Sequence, residues 1–209
     1  MSLQTILSIL ENNWPMFLRG AGMTLVIAII STIIGALIGF FIGIMHTIPV
    51  RKRSVKSFVL KVFNFILSCY VEVFRGTPML VQLLLIHLAV IPTIFGHSMG
   101  WWVSGIVGLI LNSAAYNAEI FRAGIQSIDK GQMEAARSLG LTHTQAMRKV
   151  ILPQAFRRMI PPLGNEFIAL LKDSSLVTVI AGAEILYVSK VVAGTYQRFW
   201  EPYLFAAFL

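Results

Sequence analysis

Met23 to Met45, MTLVIAIISTIIGALIGFFIGIM, runs for 23 residues without a charge. At 1.5 Å per helical residue this stretch is long enough to cross a hydrocarbon layer about 30 Å thick. A buried helix of a soluble protein rarely runs so far without a charge, and the rest of the chain agrees with a membrane setting. Of its 209 residues, 56% are hydrophobic and only 12% charged, with a mean hydropathy of +0.77. Such composition predicts an all-α integral membrane protein. The apolar stretch begins late, exceeds the length of a secretory h-region and has no basic lead-in over Met1 to Gln4, so the chain is expected to keep its N-terminus. Gly35, Gly39 and Gly43 recur every four residues inside the stretch, a small-residue pattern that lets a second helix approach closely. The single cysteine, Cys69, excludes an internal disulfide framework and a cysteine metal cluster.

The net charge of +8 has two sources in principle, nucleic-acid binding or membrane topology, and its distribution decides between them. Arg51, Lys52, Arg53, Lys56 and Lys61 follow the first span. Lys130, Arg137, Arg148, Lys149, Arg157 and Arg158 fill a central loop. Both loops are expected on the cytoplasmic side. Between them Ile91 to Trp102, IPTIFGHSMGWW, has no Lys or Arg and carries the Pro, Gly and Trp of an interfacial turn on the opposite face. The N-terminus is therefore expected outside.

Along the chain the pattern predicts about five transmembrane helices. The first spans about Met16 to Thr47. An apolar stretch from Phe58 to Ile91 is too long for one straight span, and Arg75-Gly76-Thr77-Pro78 is the expected break, since proline removes a donor and disfavours helical geometry before it. Phe58 to Phe74 then reads as a partly interfacial helix and Pro78 to Ile91 as the core of the second span. A third span covers about Val103 to Ala123, a fourth about Pro162 to Ala181, and a fifth starts near Pro202 and is cut short at Leu209. The whole of 1–209 reads as one transmembrane domain with a cytoplasmic loop at about 127–160 and no internal repeat.

That loop carries local signals of its own. Asp129 with Gln132 has the spacing of a capping box, opening a short helix that runs to Leu139. Gly140 supplies the left-handed residue that ends it, and Thr142 with Gln145 opens a second helix, limited by Pro153. Met147, Val150 and Ile151 fall on one face as an apolar stripe beside Arg148 and Lys149. Three readings follow: a loop folded back on the bundle, a DNA-reading motif, or a docking element for a cytoplasmic motor. A recognition helix tethered to membrane spans on both sides reaches a groove poorly, and docking with rigid-body transmission explains the pattern best.

Glu134-Ala135-Ala136, Gly140 four residues on, and the closing Val150, Leu152 and Pro153 resemble the EAA loop of ATP-binding-cassette importer permeases. Three further stretches are similar to the polar amino-acid uptake branch of that family (histidine, glutamate, glutamine, arginine and opine). They are Tyr70 to Gln82 (YVEVFRGTPMLVQ), Asn112 to Gly124 (NSAAYNAEIFRAG) and Gly164 to Leu176 (GNEFIALLKDSSL). The resemblance implies a MetI-like importer permease fold in a bacterial inner membrane. It also implies two ATPase subunits docked at Glu134, Ala135, Ala136, Gly140, Met147, Arg148, Val150, Leu152 and Pro153. A second permease copy or close paralogue and an extracytoplasmic amino-acid-binding protein complete the assembly it implies, and the binding protein delivers the solute.

Polar groups inside spans are costly in hydrocarbon, by about 2.5 to 3.5 kcal/mol on insertion scales, so they usually face a bundle interior or a water-filled path. Asn112, Tyr116 and Glu119 recur on one face of the third span. Glu166, Lys172, Asp173, Ser174 and Ser175 bring both signs to the fourth. The break adds Arg75 and Thr77, and Gln82 follows it. A free amino acid needs a cation for its carboxylate and a carboxylate for its ammonium, which makes these residues the candidate substrate contacts. Structural alternatives accompany them: a Glu119–Arg122 pair one turn apart, a Glu72–Arg75 pair, and Lys172 with Asp173 holding two spans together. His87 and His97 lack a second ligand at helical spacing, so no metal site is expected.

No nucleophile-base arrangement, paired catalytic carboxylates or Gly-rich Lys-Ser/Thr phosphate loop is present in the sequence. The chain is therefore expected to bind no cofactor and to perform no catalysis itself, with ATP and magnesium on the partner ATPase. The competing function is a membrane-tethered regulatory or interaction protein that uses the basic loop. Polar residues in the third and fourth spans favour the importer, and no partnership with nucleic acid is expected.

Overall fold

The computed structural model describes residues 3–48 and 55–209, and every regular element among them is helical. In chain order these are α1 (Leu3–Thr47), α2 (Val55–Gly76), α3 (Met79–Leu85), α4 (Ile91–Phe95), α5 (Gly100–Gln126), α6 (Lys130–Ser138), α7 (His143–Ala146), α8 (Leu152–Asp173), α9 (Ile185–Tyr196) and α10 (Glu201–Phe208). Wide π-turns at Ile86–Val90 and Met147–Ile151 join α3 to α4 and α7 to α8, and a 3₁₀ segment, Ser174–Ile180, follows α8. The expected basic hinge at Arg51, Lys52 and Arg53 lies outside the described residues.

Where the sequence pattern predicts about five spans, two helices among the described residues are long and apolar enough to cross a membrane alone: Ser8–Thr47 and Ser57–Gly76. Two bent pairs qualify only when each is taken together, which makes up to four. The helix expected to lie partly in the interface, Phe58 to Phe74, is thus part of a segment able to span by itself. Its outward stripe of Val55, Phe58, Val62, Phe65 and Ile66 is exposed, as a helix bathed in hydrocarbon requires. The break falls where expected, between Gly76 and Met79. By contrast α1 begins at Leu3 and runs through Pro15, because Ile9 and Phe17 on either side bury against Val188 and Val192 of α9. That packing outweighs the one donor proline lacks.

Prolines elsewhere also fail to stop helices. Pro153 was expected to limit the second loop helix, and Pro162 to open a separate span. Both, with Pro161, lie inside α8. The π-turn explains Pro153: the Leu152 N–H reaches back to the Met147 carbonyl, so α8 restarts there and Pro153 is its second residue, where a missing donor is harmless. Helix α9 was not foreseen. Its signal lies in Glu184, whose carboxylate accepts from the Leu186 N–H at 2.9 Å and the Tyr187 N–H at 2.7 Å and from the Thr178 hydroxyl, while fully buried. An N-cap of this kind satisfies the orphan donors of a first turn.

The chain divides into two compact units. The first comprises Met1–Thr32, Met79–Ile110 and Ala169–Leu209. Its core joins Ile27, Leu83, Leu109, Leu170, Val177 and Ile180, and Phe17 meets Phe205 edge-on at 5.8 Å. The second comprises Ile33–Pro78 and Leu111–Ile168. There Gly35, Gly39 and Gly43 lie directly against Ser113, Asn117 and Phe121 of α5, the close approach the four-residue repeat predicts. A Cβ on Gly39 would sit 2.6 Å from the Asn117 Cβ and 2.7 Å from the Ala118 nitrogen, so no side-chain rotation relieves it.

Gly39→Ala is therefore expected to lower thermal stability in detergent by about 1–3 kcal/mol, while Gly22→Ala, which meets nothing within 4 Å, leaves the melting curve within experimental scatter. Equal melting temperatures for the two variants would refute the close contact. Glu184→Ala is expected to cost about 1–2 kcal/mol through the lost cap, read in the same thermal melt.

Candidate functional site

In the second unit, α2 and α5 bring together three of the sequence candidates. Arg75, at the end of α2, places its guanidinium 5.6 Å from the centre of the Tyr116 ring and 3.9 Å from the Glu119 carboxylate. Glu119 is held more tightly by Arg122 one turn on, through Nε at 2.8 Å and through Nη2. Arg122 Nη1 continues to the Gln126 side-chain oxygen at 2.9 Å. The structural alternative for Glu119 thus holds, yet the pair forms one wall of a cleft rather than closing it. The pairing of Glu72 with Arg75 does not form: the carboxylate within 4 Å of Arg75 is that of Glu119 on α5.

Two clefts share Arg75 and Glu119. One, of about 410 Å³, is lined mainly by polar groups, including His46, Asn64, Ser68, Glu72, Arg122 and Gln126. The other, of about 420 Å³, is more apolar, with Tyr116, Ile120, Met159 and Pro162 in its wall and Arg158 at its edge. Of the remaining candidates in this unit, Thr77 donates to the Val73 carbonyl at 2.7 Å, Asn112 is buried and Glu166 half-buried.

In the first unit, Gln82 is buried and so is Ser174, whose hydroxyl donates to the Leu171 carbonyl at 2.7 Å. Lys172, exposed, lines a cavity of about 480 Å³ with Thr24, Leu25, Ser175, Tyr203 and Glu184. Asp173 is half-buried and forms no ion pair with Lys172, so the idea that the two hold spans together as a bridge is not supported. Glu184 escaped the sequence reading because its cap spacing becomes visible only once α9 is known.

The central loop folds largely as its caps predict. Asp129 caps α6, accepting from the Gly131 N–H at 2.7 Å, but Gln132 does not close a box; its side chain accepts from Gln154 at 3.2 Å. Gly140 has φ +84°, and the Leu141 N–H to Ala136 carbonyl and Gly140 N–H to Arg137 carbonyl bonds complete a Schellman ending. The Thr142–Gln145 box is present with both bonds. The apolar stripe finds its partner inside the chain: Ile151 is buried, and Met147 and Val150 pack against the cluster of Phe121, Ile125 and Ile128. The loop's free surface is instead formed by exposed Glu134, Ala135, Gly140, Arg148, Lys149 and Pro153, with Leu139 84% exposed at the turn. Ala136 is buried and Leu152 half-buried. Arg158 ties the base of the loop down by donating to the Ser127 carbonyl and hydroxyl.

Residues 57–208 match the family model for the binding-protein-dependent transport system inner membrane component. An arginine transport system permease protein of Bacillus subtilis (strain 168) is 35% identical, covering 93% of this chain and 84% of the relative. A probable glutamine ABC transporter permease protein of the same organism is 37% identical, covering 96% and 87%. A crystal structure of an amino acid ABC transporter with histidines superposes with a TM-score of 0.86 at 42% identity, over 99% of this chain and 90% of that one. An inward-facing methionine ABC transporter shares the fold, with a TM-score of 0.75 at 23% identity over 95% and 91%. The all-helical permease fold and the importer resemblance expected from the motifs are both found, and the chain belongs to the family of binding-protein-dependent transport system inner membrane components.

Proposed function

We propose that this chain is the membrane-spanning subunit of an ATP-driven importer of polar L-amino acids, held in a bacterial inner membrane as a multi-pass protein with its N-terminus outside. The observation that carries the reading is the helix-turn-helix from Glu134 to Pro153. Its internal caps are complete, its apolar stripe already packs within the chain, and it still presents Leu139 84% exposed as well as exposed Glu134, Ala135, Arg148 and Lys149. The relatives named for arginine and glutamine transport support an amino acid as the cargo.

Two ATPase subunits, carrying ATP and magnesium, engage this surface. A second permease copy or close paralogue completes the path, and an extracytoplasmic binding protein delivers the solute. Closure of the ATPase pair moves the docked helices as a rigid body, and the hydrogen bonds from Arg158 to Ser127 and from Gln154 to Gln132 pass that motion to α5 and α8. Solute exposure then alternates between the two faces. In the second unit Arg75, Thr77, Asn112, Tyr116, Glu119 and Glu166 are the substrate contacts. In the first unit they are Gln82, Lys172, Asp173 and Ser174.

Gly140→Val tests the coupling. A β-branched residue at φ +84° is strained by about 1–3 kcal/mol, although no atom lies within 4 Å of the added Cβ. The variant is expected to insert into membranes at the wild-type level, to lose most of its ATPase in gentle co-purification, and to lose amino-acid uptake. Full uptake would overturn the coupling assignment. Mass spectrometry of the wild-type complex that recovered no ATPase would overturn the importer reading itself.

A further inference from the structure

Helix α8 is weakened just beyond the point where it grips α5. Pro161 and Pro162 lie inside it, and neither has the N–H that would bond the carbonyl four residues back. The carbonyls of Arg157 and Arg158 therefore lack their helical donors, and bends in helices concentrate at such positions. Immediately before the prolines two side chains fasten α8 to the end of α5. Met159, 1% exposed, fills the space that a side chain on Gly124 would need: a Cβ there would stand 2.4 Å from the Met159 Cγ and 2.6 Å from its Cε. Arg158 donates to the Ser127 carbonyl and hydroxyl, so a cation of one helix caps the negative C-terminal end of another. The Ser127 N–H bonds back to the Ala123 carbonyl at 2.9 Å and its hydroxyl to the Gly124 carbonyl at 2.7 Å, which carries the fastening into the last turn of α5.

The central loop is bound to this same end of α8. Gln154 donates to Gln132 of α6 at 3.2 Å, and Ile151, Ala155 and Met159 share a core with Ile128, Met133 and Met147. The loop and the first two turns of α8 thus form one packed body. That body also borders the cavity of about 420 Å³, whose wall holds Gly124, Arg158, Met159 and Pro162 together with Arg75 and Glu119. A displacement of the packed body is absorbed most easily at the prolines, where the helical ladder is already interrupted. It reaches the cavity without an intermediary, because the fastening residues are themselves part of the wall. An unbroken helix would instead carry the displacement along the whole of α8.

We propose that Pro161 and Pro162 form a hinge built into α8, and that Arg158 and Met159 on its loop side are positioning residues that turn displacement of the Glu134 to Pro153 helices into a change in the width of this cavity. The proposal rests on the importer reading and deepens it by naming the place along α8 where the stroke of the ATPase is converted. A local weakness in one helix carries the step, as in other hinge motions.

The test uses the permease with its ATPase, reconstituted in vesicles. The parent carries Cys69→Ser, since Cys69 is exposed, and Ala123→Cys in the cavity wall, whose rate of reaction with a methanethiosulfonate reagent reports the width. In the parent, AMP-PNP is expected to change that rate by about fivefold or more, the lower end of ordinary coupling between sites. Pro161→Ala together with Pro162→Ala restores both helical donors and is expected to melt no lower than the parent. It should keep its ATPase and its ATP hydrolysis, yet bring the response to AMP-PNP within about twofold and lose most uptake of L-arginine and L-glutamine. A helix made more stable while coupling is lost is a pattern that a purely structural role does not give. Gly124→Ala, which unseats Met159, is expected to blunt the response to AMP-PNP in the same way and gives the readout if the double variant fails to fold. Parental response and uptake in either variant overturn the proposal, as does a parent whose reaction rate ignores AMP-PNP. A double variant that no longer holds the ATPase also overturns it and leaves the prolines a feature of assembly. A parent complex without ATP-dependent uptake of any amino acid sinks the importer reading, whereas parental uptake that the proline changes leave intact sinks only this inference.

Discussion

Hydrocarbon offers a backbone amide no water, and this constraint shapes the protein more than any side-chain contact. Each N–H and C=O at membrane depth must find its partner within the chain, and a helix is the element that does so locally. The consequence is visible in how the chain treats proline. Pro15, Pro161 and Pro162 all lie within helices, where in water a surrounding loop would be the cheaper solution. Several interruptions among the described residues are short, among them the residues between Gly76 and Met79, the turn after Phe95, and the segment between Ile180 and Ile185. At the last of these the buried Glu184 supplies acceptors to the donors that the interruption frees.

Since lipid tails are as apolar as leucine, burial of apolar surface does not by itself hold such helices together. In the second unit the work falls to close approach and to polar contacts. The Gly35, Gly39 and Gly43 row meets α5 at backbone distance, and the Tyr70 hydroxyl donates to the Leu111 carbonyl. Charged groups there are deployed unevenly. Glu119 is bound closely by Arg122 and lies 3.9 Å from Arg75, while Glu72 forms no ion pair within 4 Å among the described residues. The tight pair fixes geometry, and the cleft beside it is lined by charges of both signs.

Local signals were legible in the sequence wherever the cause was local. The Thr142–Gln145 box, the Asp129 cap, the left-handed Gly140 and the break before Pro78 each depend on residues within one turn, and each appears in place. What was not legible depends on reach between elements. No spacing rule says that Arg75 turns to α5 rather than to Glu72, or that Met147 and Val150 find their partner in Ile125 and Ile128 rather than in another protein. Helix α9 was missed for the same reason: a glutamate is an unremarkable residue until it is seen fully buried at a helix start. The start of α1 at Leu3 was hidden by Pro15, whose effect on a helix is ordinarily decisive and is here overruled by the packing of Ile9 and Phe17.

The π-turn at Met147–Ile151 settles a question of angular phase. Met147, Ile151, Ala155 and Met159 all take part in one core cluster, and they recur every four residues. In an uninterrupted α-helix each such step advances about 40° around the axis, so the last side chain would stand about 120° from the first and could not share its core. One extra residue in a turn takes back about 100° of that rotation. The widened turn therefore keeps four successive rungs of a single helix pointing the same way, and any torque applied at α7 reaches α8 along one continuous edge instead of winding around the barrel of the helix.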